Sequence, residues 1–174
     1  MLVKNLIKSH GCTPHEHSGF ERNIDNSYTG PIRETLTEVL NMPSKESEFQ
    51  AVENANLSFY QAFGSLDLPR MEAIWSHENP VHCVHPGWGL LTGRQNIMDS
   101  WARIFENTSL MHFRITDSQF EITDNRAMVI CIENITSVVD TNVSEFRVLA
   151  TNMFRKETNS WQIMHHHGSP LYPS

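Results

Sequence analysis

The stretch Leu110-Met-His-Phe-Arg-Ile-Thr-Asp-Ser-Gln-Phe-Glu-Ile122, followed after Thr123-Asp-Asn125 by Arg126-Ala-Met-Val-Ile-Cys-Ile-Glu-Asn-Ile-Thr-Ser-Val-Val139, decides the architecture. Both runs are rich in β-branched and aromatic residues, and polar turn residues separate them, which is the signature of neighbouring antiparallel strands. Two further strand segments follow at about 144–156 and 160–167, after Asp140-Thr-Asn142 and Glu157-Thr-Asn-Ser160. Four consecutive turn-linked strands predict a meander.

Upstream the periodicity is helical. From Ser47, Val52, Ala55, Phe59 and Phe63 recur three or four residues apart with Tyr60 beside them, and the pattern stops near Gly64. Asp67 is placed to cap a second helix whose Met71, Ile74 and Trp75 face a core, ending before Asn79-Pro80. A strand through His85 follows. Thr92-Gly-Arg-Gln95 has the capping-box pattern and predicts the start of a third helix with Ile97, Trp101, Ile104 and Phe105 as its buried stripe. Helices first and strands afterwards predict an α+β fold, three N-terminal helices packed in a strongly curved, mainly antiparallel sheet. Residues 1–46 are polar and interrupted by Gly11, Pro14, Gly19, Gly30, Pro31 and Pro43, which reads as an arm carrying one short helix over 31–40. The domain proper is expected over 47–174.

At 174 residues and 39% apolar content, the chain is long enough for one domain with a substantial core. The formal charge of −7 and the lack of a Lys/Arg cluster argue against nucleic acid and against an anionic membrane surface. Met1 to Lys8 is too short in apolar residues for a signal peptide, and no run approaches the roughly 18 residues of a membrane span. Cys12, Cys83 and Cys131 are an odd number, and the last two sit in apolar strand patterns as reduced thiols do. The expectation is a cytoplasmic protein whose partner is a small molecule or another protein.

Two histidine-bearing segments carry the candidate chemistry: Val81-His-Cys-Val-His85, ahead of Pro86-Gly-Trp88, and Trp161-Gln-Ile-Met-His-His-His-Gly-Ser169. Strict strand alternation puts Val81, Cys83 and His85 on one face of the first, and Trp161, Ile163, His165 and His167 on one face of the second. If the apolar companions mark the inner side, His85, His165 and His167 look into the core, and His82 and His166 look out. Imidazoles titrate near neutrality and suit proton shuttling, so His85, His165 and His167 are the candidate catalytic residues. The competing reading makes them core histidines bonded to backbone or to Ser169.

His165 and His167, with Glu133 on the parity of Cys131 and Ile135, would form a facial metal triad, but a histidine pair at period two is weak evidence and no metal or other cofactor is expected. The arm segment His10-Gly-Cys-Thr-Pro-His-Glu-His17 lacks a second ligand pair at zinc-finger spacing. Tyr60, Phe63, Trp75, Trp88, Trp101 and Phe105 supply rigid apolar surface for a pocket wall, and Trp88, in a loop, is the foremost ligand contact. Tyr60, Trp75, Trp88, Trp101 and Glu133 are the candidate ligand-binding residues. Of the carboxylates, Asp67 reads as a helix cap and Glu133 as a strand-edge residue; Arg94 is placed to hold an anion or to anchor a helix start.

The order Phe59-Tyr-Gln-Ala-Phe63, Asp67, Met71, Ile74-Trp75, Val84-His-Pro-Gly87, Leu91-Thr-Gly-Arg94, Ile97, Trp101 and the closing Trp161 to Ser169 resembles the SnoaL-like branch of the nuclear transport factor 2-like superfamily, over about residues 47–170. The resemblance implies a cone with a pocket between helices and bent sheet, and a homodimer formed through the outer sheet face. It also implies cofactor-free acid/base chemistry of isomerase, cyclase or dehydratase type on a small apolar carbonyl compound, and since isomerase and cyclase members use a carboxylate base, Asp67 and Glu133 are the acidic candidates. The alternative it implies is a non-catalytic association or ligand-sensing domain. The paired Tyr and Asp oxyanion donors of the steroid isomerases and the Asp-Arg-Asp set of the epoxide hydrolases have no clear copy here, and fold membership alone leaves function open.

Overall fold

The computed structural model describes residues 44–158 and 160–172. The arm readings, including the helix over 31–40 and the His10 to His17 segment, lie outside the described residues.

Helix α1 spans Lys45–Ser65. It starts where Ser44 Oγ accepts from the Ser47 amide at 3.0 Å, with Glu46 and Glu48 in the first turn, where carboxylates favour the helix dipole. It ends at Leu66, whose left-handed backbone returns its N–H to Phe63 O. Helix α2, Leu68–Ile74, is capped by Asp67 as expected, its side chain accepting from Arg70 N at 3.1 Å. It stops at Ile74, short of Asn79-Pro80, because Trp75 turns extended to bridge Ile163 of the last strand.

Helix α3, Arg94–Glu106, begins differently from the capping-box reading. Its N-cap is Gly93 at φ 84°, with no side-chain cap. Thr92 belongs to a strand instead, opposite His82, and its carbonyl accepts from Asn96 Nδ2. Gln95 bonds forward to Asp99 at 2.8 Å. Sheet pairing claimed the threonine, and the positive φ that remained suits glycine.

Among the described residues there are six strands: β1 (His82–Val84), β2 (Leu91–Thr92), β3 (Leu110–Ile122), β4 (Arg126–Val139), β5 (Asn142–Glu157) and β6 (Ser160–Leu171). They form one mixed sheet in the order β2-β1-β6-β5-β4-β3, where only the β1–β6 pairing is parallel. The three helices pack on one face of it, α1 against β3 and β6 and α3 against β1 and β2. Alternation on β4 is regular: Ala127, Val129, Cys131, Glu133 and Ile135 are buried beneath the helices, and their neighbours are half-buried on the other face. Phe59, Phe63, Trp101 and Phe105 interlock in tilted and edge-to-face contacts at the centre of the core.

Two bulges reset the parity. On β3 the register slips between Thr116 and Gln119, with Asp117 at φ 55°, and Phe120 and Ile122 are thereby kept on the helix side. On β6, Ile163 pairs with Phe154 but His165 pairs with Met153, so Met164 is one extra residue. This second bulge decides which histidines enter the core.

Candidate functional site

Because Met164 consumes one position, the inner face of β6 runs Trp161, Ile163, His166, Gly168. His166 is buried at 1% exposure, while His165 is half-buried and His167 exposed on the opposite face. The expectation that His165 and His167 look inward is therefore corrected, as is the outward placement of His166: a strand with a bulge does not keep period two. Gly168 confirms the direction. A Cβ there would sit 3.0 Å from Val148 Cγ1 and 3.1 Å from the Pro86 ring, so any larger residue would have to push this wall back. On the first strand alternation holds, with Val81, Cys83 and His85 buried.

Between sheet and helices lies a cavity of about 230 Å³. Its polar lining is Glu133 from β4, His166 from β6 and His85 at the end of β1. Phe63, Ile104, Met111, Ile135 and Phe146 make the apolar wall, and Pro86 and Trp88 close it from the loop after β1. Trp88 is 41% exposed, stands edge-on to His85 with ring centroids 5.0 Å apart, and carries the Arg103 guanidinium 5.3 Å above its ring.

Glu133 is 1% exposed and lies beside the Tyr60 hydroxyl, which donates to Oε1 at 2.8 Å. Burial raises its pKa to about 7, an effect that the Tyr60 hydrogen bond partly offsets. Tyr60 is itself held well above the usual phenol range, first by burial and then by the charge of Glu133. Asn152 ties this pair to His166: its Nδ2 donates to Tyr60 Oη at 3.0 Å and to Asn56 Oδ1 at 2.9 Å, and its Oδ1 lies 2.7 Å from His166 Nδ1. Burial holds His166 well below its ordinary pKa, so it is neutral, with the nearby imidazoles acting in the same direction. His85 is pushed down to about 4, mainly by burial and then by the charge of Arg103, and its Nε2 lies 2.8 Å from Ser100 Oγ.

Of the residues singled out from sequence, Glu133, His85 and Trp88 come together at this cavity. Tyr60 and Trp101 stand one layer behind, Tyr60 holding Glu133 and Trp101 packed 4.5 Å from the His85 ring. Trp75 is core, fully buried against β6 and away from the cavity wall. His165 and His167 lie across the sheet from Glu133, so the three-ligand set is not assembled. Arg94 is a clamp rather than an anion receptor, donating to the carbonyls of Glu72 and Trp75 at 2.7 Å each. Asn56, Asn152, Ser100 and His166 are the polar residues that the sequence reading missed. Asn56 lies in the α1 stripe one residue beyond Ala55, and Asn152 on the inner parity of Ala150 and Phe154, so an uncharged amide on each buried face was the available signal.

The family model described as SnoaL-like domain matches residues 52–173, and the chain belongs to that family. A presumed dehydratase of the nuclear transport factor 2-like family from Streptomyces avermitilis is 32% identical, with a TM-score of 0.71 over 75% of this chain and 100% of that one. A presumed calcium/calmodulin-dependent protein kinase type II association domain from Thiobacillus denitrificans is 27% identical, with a TM-score of 0.62 over 75% and 98%. A ketosteroid isomerase-like protein from Erwinia carotovora atroseptica, at 20% identity and a TM-score of 0.63 over 72% and 98%, shares the fold. The F-box protein SKIP8 of Arabidopsis thaliana is 25% identical over 122 residues, 70% of this chain, and the chain spans about half the length of that relative. Among the described residues, no helix is long and apolar enough to cross a membrane.

Proposed function

We propose that the cavity binds a compact, largely apolar, carbonyl-bearing molecule and that Glu133 moves a proton on it. The observation that carries this reading is a carboxyl inside an apolar cavity, anchored through one oxygen by Tyr60 and with a pKa of about 7. A group with that pKa is half ionised at neutrality and serves as base and then as acid with small driving force in either direction. As carboxylate, Glu133 takes a proton from the carbon beside the carbonyl, and the electron pair moves into the carbonyl system. As carboxylic acid it returns that proton to another carbon, an isomerisation, or to a departing β-hydroxyl that leaves as water, a dehydration. Neither outcome needs a cofactor. The dehydratase-like relative at 32% identity favours the second. Proton carriage by His85 gives way to Glu133 because a neutral imidazole with a pKa of about 4 is a poor acceptor at neutral pH. His167, on the outer face, plays no part in it.

Size narrows the class. An apolar cavity of about 150 Å³ takes a benzene, so about 230 Å³ suits a single ring or a short branched chain. The test is proton exchange into cyclohexanone in deuterated buffer, followed by NMR with wild-type protein and with Glu133→Gln. Acceleration lost in the variant supports the reading; equal exchange in both refutes it.

A second reading, association through a homodimer, rests on the outer sheet face, where Ile130 and Ile132 of β4 are half-buried and Leu149 of β5 is 41% exposed. The relative described as an association domain supports it. Sedimentation of wild type against Ile132→Lys distinguishes a dimer on this face from a monomer.

A further inference from the structure

Two hydrogen-bond chains fix which nitrogen of each cavity histidine carries its proton. Ser100 has one hydroxyl hydrogen and gives it to Ile97 O at 2.6 Å, so its oxygen can only accept from His85. The contact at 2.8 Å is therefore His85 Nε2–H donating, and Nδ1 of that ring is bare. On the other side, Asn152 Nδ2 spends its two hydrogens on Asn56 Oδ1 and Tyr60 Oη, and Tyr60 passes its own hydrogen to Glu133. Asn152 thus presents a carbonyl oxygen to His166, whose Nδ1–H donates across 2.7 Å. His166 Nε2 keeps its lone pair and has no protein partner among the described residues.

Apart from the Trp88 indole N–H and the proton that Glu133 carries when neutral, the polar lining of the cavity accordingly offers acceptors. The His85 hydrogen is committed to Ser100, the His166 hydrogen to Asn152, and Glu133 in its ionised form only accepts. Phe63, Ile104, Met111, Ile135 and Phe146 offer no donor, and Trp88 has only an indole N–H. A ligand that brings nothing but a carbonyl oxygen leaves the His166 Nε2 lone pair unmatched when it displaces water from it, which is costly in a largely apolar site.

From this geometry, and resting on the proton-carrying role given above to Glu133, we infer that the ligand bears a hydroxyl group which donates to His166 Nε2. The substrate class is then a one-ring or short-chain hydroxy-carbonyl compound, its hydroxyl read by His166 and its acidic C–H presented to Glu133.

The experiment compares phenol and cyclohexanol with toluene and cyclohexanone, molecules of matched size, by calorimetry on the full chain and on His166→Phe. The hydroxyl members are expected to bind about 3- to 10-fold more tightly than their partners, the worth of one net hydrogen bond, and to lose that advantage in the variant. Nitrogen-15 NMR of the wild type reads the tautomer without any substitution, with Nδ1 protonated and Nε2 bare expected for His166. Toluene and cyclohexanone binding as tightly as the hydroxyl compounds overturns the inference and leaves the role of Glu133 standing, as does a proton found on Nε2. If none of the four binds, both fall.

Discussion

His166 Nδ1 lies 2.7 Å from Asn152 Oδ1, and through that one amide the imidazole on β6 is joined to Tyr60 and Glu133 on the far side of the cavity. Asn152 satisfies three buried groups at once. Asn152→Ala leaves His166 Nδ1 and Asn56 Oδ1 without their partner and takes one of the bonds of Tyr60, and a loss on the order of 2–4 kcal/mol in urea unfolding is expected, larger than any one hydrogen bond is worth.

Glu133 makes stability depend on pH in an unusual direction. Its pKa is raised in the folded protein to about 7, so between about 4.5 and 7 the folded state holds a proton that the unfolded state has lost. Stability from this group is therefore full below about 4.5 and falls as pH rises through 7. Glu133→Gln removes the dependence. The variant is expected to gain on wild type by up to roughly 3 kcal/mol above pH 7 and to show no gain below pH 4.5, as read by denaturant midpoints at a series of pH values.

His85 works the opposite way. Its pKa falls to about 4 on folding, so the unfolded chain binds the extra proton between about 6.5 and 4, and the folded state loses stability as pH drops through that window. His166, also lowered, adds to the same loss. His85→Gln is expected to flatten the acid limb of the stability profile, and Arg103→Gln to raise the pKa of His85, measurable by its ring proton shifts.

Gly168→Ala tests the inward direction of β6. The new methyl meets Val148 at 3.0 Å and the Pro86 ring at 3.1 Å, both on a packed wall. A destabilisation of about 1–3 kcal/mol is expected by thermal or urea unfolding. His165→Thr and His167→Thr, on the other face, are expected to change phenol affinity by less than twofold, since surface changes away from a site usually stay within about 0.5 kcal/mol.

Trp88→Ala opens the cavity mouth. Phenol affinity is expected to fall about 2- to 10-fold with the lost aromatic contact, while the unfolding midpoint barely moves because the indole is 41% exposed.

The meander from Leu110 onward and the stripes of α1 and α3 were legible because repeated apolar spacing leaves few alternatives, and β3 and β4 lie where Leu110–Ile122 and Arg126–Val139 were read. Glu133 was legible from its parity with Cys131. The histidine assignment failed at one residue. Alternation carries no memory of a bulge, and nothing in Ile-Met-His says that Met164 is the extra residue. Gly168 held the missing information, since a glycine in a strand interior marks a close approach, and putting it on the crowded face turns His166 inward. The capping-box reading of Thr92 failed because a two-residue strand, invisible to periodicity, pairs it with His82.

Carbon-13 NMR of the Glu133 side-chain carboxyl, titrated from pH 4 to 9, addresses the proton-carrying site with the least intervening assumption. A midpoint near 7 that moves upward when Tyr60→Phe removes the hydrogen bond to the ionised form is expected. A midpoint near 4.5, the ordinary value for a solvated glutamate, would contradict the account.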